Sequence, residues 1–421
     1  MFDEQGRAEV VARRNLQAAL QQVRANPGSP GTDGMRVDEL PDLLKARWPE
    51  IKAQLLHGPY QPMESRRVAI PQPGSQEHSQ RGMPGVRDRL IPPAMLQGLQ
   101  GCGAPTFAAF RSGFRPGRRA RQAVAQAPAY MEQGSDVVVA MEREKCFAHV
   151  GHDRLMSRLA ERIAAKRLRK LLRADVPAGI LDEGWVLVPE AGTPPGAPLS
   201  PFRSHGVLDA VDKELEARGH CVCRSAAESH ISVRSIRAGE RVMVSRKRFI
   251  PGRLQVKVQE SKRAVDRPQH RSFLGFSFTG GHSAQRRKMA PTARARFQTR
   301  VTTLPRRTQG RSLGQGIATL NQYLRGWVGF FGCCQTAQVL RDVDSWIRHR
   351  RRGLQWKQWQ GDRRRKAEWI KRGSKPELAP PTAFSATGPW RISHTPGVRL
   401  ARNNPFFARM RLIRLRAHHR M

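Results

Sequence analysis

Acidic side chains are scarce in this sequence. Its 421 residues include 75 Lys and Arg but only 34 Asp and Glu, and the formal net charge is +41. Because counterion release drives much of nucleic acid binding, so large an excess of positive charge makes RNA or DNA the leading class of partner. A merely basic, soluble surface is the weaker interpretation at this size of imbalance.

Long apolar runs and a cysteine framework are missing too. No run approaches the ~18 apolar residues that span a bilayer. The first residues, Met1 to Gln5, lack the basic and then apolar pattern of a signal peptide, so we expect a cytoplasmic protein without a membrane partner. The chain has six cysteines. Neither Cys221-x-Cys223 nor Cys333-Cys334 has the spacing of a disulfide framework or a zinc site, which favours packing roles.

Apolar patterns predict a mixed α+β chain. The continuous run from Asp136 to Met141 is typical of a strand that is buried on both faces. The segment from Phe202 to Arg218 places its apolar side chains on one helical face. Two short strands, Cys221 to Arg224 and Ile231 to Ser235, flank a four-residue turn, Ser225 to Glu228, and so predict a hairpin.

Proline marks the predicted breaks. Pro41 and Pro49 are expected to interrupt one helical region and Pro92-Pro93 another, because proline removes a backbone N–H and clashes with the preceding turn. Proline, threonine and serine are also frequent from Pro376 to Ser393. This composition predicts an irregular linker, followed by a basic tail from Arg399 to Met421.

A basic turn precedes the first buried strand. Residues 112–124 read Ser-Gly-Phe-Arg-Pro-Gly-Arg-Arg-Ala-Arg-Gln-Ala-Val, in which Pro116-Gly117 forms a tight turn and a helix begins after it. Arg115, Arg118 and Arg119 then gather near the helix start, where backbone amides and guanidinium groups bind phosphates. A solvated basic turn is the alternative.

Taken together, these runs resemble the group II intron-encoded reverse transcriptase and maturase family. The turn-rich loop from Gly192 to Pro201, the helix after it and the hairpin are similar to the family's palm, in which the hairpin turn reads Tyr-Ala-Asp-Asp. The run from Tyr323 to Phe331 is similar to the maturase core motif. The resemblance implies an α+β right-hand fold, with reverse-transcriptase fingers and palm and an α-helical thumb and maturase domain. The implied domains are an N-terminal helical extension at 1–65, fingers and palm at 66–280, thumb and maturase domain at 281–365, and a linker and basic tail at 366–421.

The resemblance also places the family's catalytic aspartate positions on Glu142, Ala227 and Glu228. In the family these acids hold Mg²⁺, and two-metal transfer of a nucleotide needs carboxylates that hold the cations ~3.5 to 4 Å apart. The longer Glu142 side chain displaces its oxygens by ~1.5 Å, and Ala227 offers no ligand. We therefore expect polymerisation to be lost, with Mg²⁺ held by Glu142 and Glu228 only where activity survives.

The implied nucleotide pocket is altered as well. In the fingers Ser79 and Gln80 stand at the usual basic positions, so either Arg81 substitutes for the basic residue or none does. Lys262 corresponds to the lysine that approaches the nucleotide. In the palm loop, Pro195 replaces a glutamine, Gly196 keeps the first glycine and Ala197 replaces the second. These changes remove a polar contact and restrict a permissive backbone.

Aromatic rings alternate with arginine in the last third of the chain. Rings and guanidinium planes stack on unpaired bases while charge holds phosphates, so this pattern suits RNA. For Trp327 and Trp346 a structural role in a helix pair is the preferred interpretation. The side chains predicted to contact nucleic acid there are Arg325, Arg348, Arg351, Arg352, Trp356 and Trp359.

The function expected from these features is that of a reverse transcriptase/maturase-like protein that has lost polymerisation. Its expected partner is group II intron RNA or another structured RNA, with a DNA target as a further candidate. Two alternatives stay open: a non-catalytic RNA-binding splicing cofactor, and the product of a decayed intron reading frame.

Overall fold

The computed structural model divides the chain into two compact units, Met1–Arg267 and Pro268–Met421. The described residues are all those outside 1–8, 27, 58–59, 72–77, 104–107, 109, 114, 116, 143–150, 162, 175–179, 183–184, 188–198, 227, 250–262, 281–284, 305–311, 360 and 419–421. Both units contain helices and strands, which confirms the α+β class. Within the described part of the chain, every helix is too short or too polar to cross a membrane.

The first unit begins with helices and ends on a strand. Its elements are α1 Arg13–Ala25, α2 Leu40–His57, β1 Ser65–Pro71, β2 His78–Met83, α3 Val86–Gly103, α4 Ala120–Glu132, β3 Val137–Glu142, α5 His152–Ala160, α6 Lys166–Ala174, β4 Ile180–Asp182, β5 Trp185–Leu187, α7 Ser200–Ala217, β6 Cys221–Ser225, β7 Glu228–Val233, α8 Ile236–Phe249 and β8 Arg263–Asp266.

An antiparallel sheet with the strand order β6-β7-β3-β8 organises this unit. β3 lies inside the sheet and pairs with both β7 and β8. Val138, Val139 and Met141 are at most 1 % exposed, so β3 is buried on both faces, as its continuous apolar run predicts. Gly239 of α8 packs onto this sheet so closely that a Cβ there would lie 2.4 Å from the Val265 side chain.

A second sheet in the same unit has the order β2-β1-β4-β5. β1 pairs antiparallel with β2 and parallel with β4. The turn before α3 is fixed by Asp33, whose Oδ2 accepts a hydrogen bond from Val86 N at 2.6 Å. Asn15 of α1 donates from Nδ2 to Ala94 O of α3 at 2.9 Å, which joins the amino-terminal helix to this part of the unit.

The predicted proline breaks are wrong. α2 continues through Pro49, and α3 continues through Pro92-Pro93. Pro41 lies in the first turn of α2, where the missing N–H has no intrahelical role. Both helices bury apolar side chains in the core of the unit, and this tertiary packing outweighs the local cost of proline.

The second unit is mainly helical. Its elements are β9 Phe276–Phe278, β10 Arg287–Met289, α9 Pro291–Thr303, α10 Leu313–Phe331, α11 Ala337–Gln358, α12 Asp362–Lys371, α13 Ala379–Ala383, α14 Pro389–Ile392, α15 Pro396–Ala401 and α16 Asn404–Arg409. β9 and β10 form an antiparallel pair.

Aromatic rings from β9, α9 and α10 form one core of this unit. The Trp327 ring stacks on Phe331 with centroids 4.9 Å apart and packs against Phe297 at 4.6 Å. Phe276 of β9 lies 5.1 Å from Phe331. Trp327 is 8 % exposed, so this ring has the structural role that the sequence favours for it.

The predicted linker and tail are wrong for the described residues up to 418. This region folds into α13 to α16, and it closes a core around Trp369. Each of these four helices has proline at its first or second position. Proline starts a helix without losing a hydrogen bond, so the composition typical of a linker here marks helix starts. The core residues are Trp356, Trp359, Trp369, Ala379, Ala383, Ile392, Val398 and Ala401.

Candidate functional site

The end of β3 meets the hairpin at two of the implied catalytic positions. In the antiparallel register Glu142 lies opposite Glu228, which in turn lies opposite Ser225 across the hairpin. The Cα atoms of directly opposed residues lie ~4.5 to 5.5 Å apart. The backbone therefore brings these two acidic positions together, while the Glu142 side chain and the whole of Ala227 lie outside the described residues.

The hairpin turn is tighter than the sequence predicts. β6 extends to Ser225 and β7 begins at Glu228, so both ends of the predicted four-residue turn belong to the strands. β7 also ends at Val233, before the predicted Ser235. Ala226 has a φ of 55°, in the left-handed region that costs a residue with a Cβ roughly 1 to 2 kcal/mol.

The loop before the basic turn packs beside this hairpin. Ser112 N donates to Arg224 O at 3.0 Å, and Arg224 N donates to Phe110 O at 3.5 Å. The loop thereby adds a short parallel bridge to β6. Gly113 makes the closest approach, because a Cβ there would lie 2.4 Å from Ala226 N.

Buried charges hold the turn from within the unit. Arg224 is 1 % exposed; its Nη2 pairs with Asp212 of α7, and its Nη1 donates to Ala226 O at 2.9 Å. The pKa of the neighbouring Arg111 is lowered to about 9, mainly by burial; the Arg224 charge adds to the decrease, and Asp212 and Asp209 oppose it. This network cannot be predicted from the sequence, because an ion pair between a helix and a strand leaves no local pattern.

The basic turn lies where the sequence places it, at the start of α4. Arg118 and Arg119 are exposed, and the Gln122 side chain accepts a hydrogen bond from Arg119 N at 2.7 Å. Arg115 is half-buried, and its Nη1 donates to Ala108 O at 3.2 Å. Two of the three arginines therefore face solvent beside the start of a helix, and the third is engaged by the protein backbone.

The residues predicted to bind a nucleotide are described only in part. Arg81 lies in β2 opposite Val68 of β1, and its side chain is outside the described residues. Pro195, Gly196 and Lys262 also lie outside them. Their roles in nucleotide binding stay predictions.

The tryptophans predicted to stack on RNA are buried in the second unit. Trp356 and Trp359 are 9 % and 8 % exposed. The Cζ atom of Arg365 lies 3.9 Å from the Trp356 ring centroid, and that of Arg372 lies 4.8 Å from the Trp359 centroid. Guanidinium groups of the protein cover the faces that RNA bases would need, so the structure contradicts a direct RNA contact by these rings.

Arg351 and Arg352 are also buried, at 1 % and 5 % exposure. Burial lowers the pKa of each to about 10. Arg352 Nε donates to Arg402 O at 2.9 Å, and its guanidinium lies over the Phe407 ring at 5.6 Å. The segments that follow Pro389 pack over α11, although the sequence predicts a linker for this region. The structure therefore contradicts phosphate contacts by Arg351 and Arg352.

Other cations of the second unit do face solvent. Arg325 of α10 is exposed, and Arg348 of α11 is half-buried. Burial lowers the pKa of Arg348, while Asp344 raises it. The exposed cations on α9 to α12 include Arg296, Arg300, Arg325, Arg341, Arg363, Arg364 and Lys366.

Comparison with known proteins connects these helices to one family. Residues 294–372, which include most of α9 and all of α10 to α12 up to Lys371, match the group II intron, maturase-specific domain. The chain is 27 % identical over 195 residues to the group II intron-encoded protein LtrA of Lactococcus lactis subsp. cremoris, which covers 46 % of this chain and 32 % of LtrA. Residues 294–372 thus match a group II intron maturase-specific domain, and the chain is similar to group II intron-encoded proteins.

Two further similarities extend beyond this domain. The protein YkfC of Escherichia coli (strain K12) is 29 % identical over 194 residues, which covers 45 % of this chain and 51 % of YkfC. The chain therefore spans about half the length of YkfC and about a third of LtrA. Among solved structures, a partial Cas6-RT-Cas1–Cas2 complex is similar with a TM-score of 0.33 and 17 % identity, over 57 % of this chain and 41 % of that one.

The acidic positions of this hairpin do not fit a two-cation site. Ala227 has no side-chain oxygen, so the hairpin turn supplies at most the Glu228 carboxylate. Within the described residues, no three His, Cys, Asp or Glu side chains are grouped so that they could hold a metal ion. No catalytic step through Mg²⁺ follows from this set of residues.

Proposed function

We propose that this chain binds group II intron RNA and assists its splicing without copying RNA into DNA. The match of residues 294–372 to the maturase-specific domain carries the proposal. The net charge of +41 supplies the attraction to phosphates. The exposed arginines of α9 and α10, Arg296, Arg300 and Arg325, place part of that charge on the surface of the matched domain.

The proposed loss of polymerisation rests on the hairpin turn. Glu142 and Glu228 are still opposed across β3 and β7, so the scaffold of the family's site is retained while its ligands differ. Charge stabilisation by a metal ion is worth several kcal/mol, and each ~1.4 kcal/mol is tenfold in rate. Without a carboxylate at Ala227, we expect primer extension to be slower by several orders of magnitude.

Both parts of the proposal can be tested on one preparation of the full chain. We expect no detectable primer extension on an RNA template with Mg²⁺. We also expect tight binding to a group II intron RNA that weakens by ~10³ to 10⁵ between ~50 and ~200 mM salt, as for proteins that contact 6 to 10 phosphates. An unrelated structured RNA of equal length, used as competitor, should bind more weakly than the intron RNA.

A pair of charge variants separates the maturase surface from charge in general. Arg325→Gln should weaken RNA binding and reduce the salt slope by ~1. Lys45→Gln removes an exposed charge from α2 in the first unit and should have a smaller effect. Equal losses in the two variants, or equal affinity for intron RNA and heparin, would leave only nonspecific polycation binding. Robust cDNA synthesis would overturn the polymerase part alone.

A further inference from the structure

Trp390 presents an exposed ring on a well-anchored backbone. The residue is 44 % exposed, yet its carbonyl oxygen accepts a hydrogen bond from Ser393 Oγ at 2.6 Å and lies 2.8 Å from His394 Nδ1. The adjacent Pro389 packs against Gly353 of α11, where a Cβ would lie 3.0 Å from Pro389 O. The ring is therefore held in place while one part of it faces solvent.

Further π surfaces lie next to this ring. The rings of His349 and His394 stack with centroids 3.7 Å apart and an interplanar angle of 11°. The Trp390 ring lies 4.8 Å from His394 and 6.1 Å from His349. On the same face of α11, the Arg350 guanidinium lies over the Trp346 ring at 5.8 Å. We call these five residues, Trp346, His349, Arg350, Trp390 and His394, the aromatic strip.

The charges that the carboxy-terminal segment contributes to the aromatic strip have one sign. Arg391 and Arg399 are exposed, and Arg399 lies close enough to His349 to lower the pKa of its imidazole. The sequence contains no Asp or Glu after Glu377. A ligand at this surface therefore meets flat rings and positive charge together, with no acidic side chain from this segment to repel phosphates.

We propose that the aromatic strip binds an unpaired segment of RNA, with a base stacked on Trp390 and phosphates held by Arg391 and Arg399. Bases in single strands expose their faces, and aromatic side chains next to arginine bind them without requiring a particular sequence. A purely structural role, in which the rings join α14 to α11, explains why Ser393 is buried. It does not explain why Trp390 is exposed. The proposal rests on the RNA binding proposed above and extends it to a surface beyond residue 372.

The test compares single-stranded and duplex RNA binding by the full chain. Trp390→Ala should weaken binding of a short unstructured RNA by about 5- to 150-fold, the range measured for loss of one stacked base. Binding of duplex RNA and the salt slope should stay unchanged, because no charge is lost. Trp390→Phe should retain much of the affinity. Phe384→Ala is the matched control, since Phe384 is 55 % exposed and lies outside the strip.

The outcomes distinguish this site from RNA binding by the whole chain. A folded Trp390→Ala protein that binds single-stranded RNA like the wild type overturns the strip and leaves the proposed function intact. Wild-type protein that binds neither RNA overturns the proposed function itself. Binding of single-stranded DNA but not RNA at the strip also overturns the proposal. Should Trp390→Ala fail to fold, Arg391→Gln decides. It is expected to lower the salt slope of single-stranded RNA binding by ~1, and an unchanged slope overturns the strip.

Discussion

Arg224 connects the hairpin turn to α7 through an enclosed ion pair, in which the Arg224 and Asp212 side chains are 1 % and 0 % exposed. Asp212→Asn leaves the guanidinium buried beside a neutral amide. We expect the free energy of unfolding of the first unit to fall by ~3 to 5 kcal/mol, measured by urea denaturation with circular dichroism. Asp42→Asn is the control, because Asp42 and its partner Lys45 are about 80 % exposed and such pairs contribute ~0 to 1 kcal/mol. Similar losses of unfolding free energy in the two variants would contradict a stabilising role for the Arg224–Asp212 ion pair.

Arg351 and Arg352 are neighbours in sequence with opposite expected effects. Within the described residues, Nε and Nη2 of Arg351 have no hydrogen-bond partner, whereas Arg352 Nε donates to Arg402 O. Arg351→Met removes an uncompensated buried charge, so we expect stability to be unchanged or to rise by ~1 to 4 kcal/mol. Arg352→Met removes the hydrogen bond from Nε to Arg402 O and should lower the free energy of unfolding by ~1 to 3 kcal/mol. Urea denaturation of both variants under one set of conditions measures the two changes in stability. A less stable Arg351→Met than Arg352→Met would contradict the prediction.

His349 gives the second unit a dependence on pH. The pKa of its imidazole is lowered from 6.5 to about 4, mainly by burial; His394, Arg352 and Arg399 add to the decrease, and the bond to Ser393 O opposes it. Between pH 6.5 and about 4 the unfolded chain binds a proton that the folded chain excludes. The contribution of His349 to stability is therefore fully present above this window and is lost as the pH falls through it.

The variant His349→Asn isolates this contribution, because asparagine keeps an N–H near Ser393 O but does not titrate. Since His349 is partly exposed, we expect the wild type to lose about 1 to 2 kcal/mol more than the variant between the two pH values. Urea denaturation at each pH measures the difference. Parallel pH profiles for the two proteins would exclude His349 as the cause.

At the scale of elements, Gly113 sets how closely the loop can approach the hairpin. Gly113→Ala places a Cβ 2.4 Å from Ala226 N, which requires the backbone to move. We expect a loss of ~1 to 3 kcal/mol, as for overpacked cores. Gly151→Ala is the control, because a Cβ there meets nothing within 4 Å. Thermal denaturation of both variants measures the difference, and a fully stable Gly113→Ala protein would show that the loop is not so constrained.

The sequence predicts well those elements whose pattern of apolar residues follows directly from their burial. β3 follows from its unbroken apolar run and the hairpin from its two short strands. The predicted four-residue turn is wrong because Ser225 pairs with Glu228. This pairing depends on the strand register, which no local sequence pattern determines. The helices through Pro49 and Pro92-Pro93 depend on packing against distant residues.

The candidate site shows the same limit. Only the resemblance assigns Glu142 and Glu228 to the site; the register of β3 and β7 shows that they are opposed, and their roles stay predictions. The residues that hold the turn, Gly113, Arg224 and Asp212, come from three separate elements. Only the folded chain brings them together, so neither composition nor spacing could identify them.

At the scale of the whole molecule, composition predicts a basic protein but not which charges reach the surface. The alternation of tryptophan with arginine near residue 356 suggested an RNA surface, yet it forms a core in which Arg365 and Arg372 cover Trp356 and Trp359. The pattern is ambiguous because a cation beside a ring stabilises a protein interior as well as a complex with RNA. Burial, which depends on the helices after residue 372, decides between them.

The tryptophan core makes the two units separable by spectroscopy. Of the eight tryptophans, all but Trp48 and Trp185 belong to the second unit. Intrinsic fluorescence excited at the indole band therefore reports mainly on that unit, and the enclosed Trp369, which is 0 % exposed, should emit at shorter wavelength until its core opens. A denaturation curve followed by this emission traces the maturase-type unit, while far-ultraviolet signals average over both.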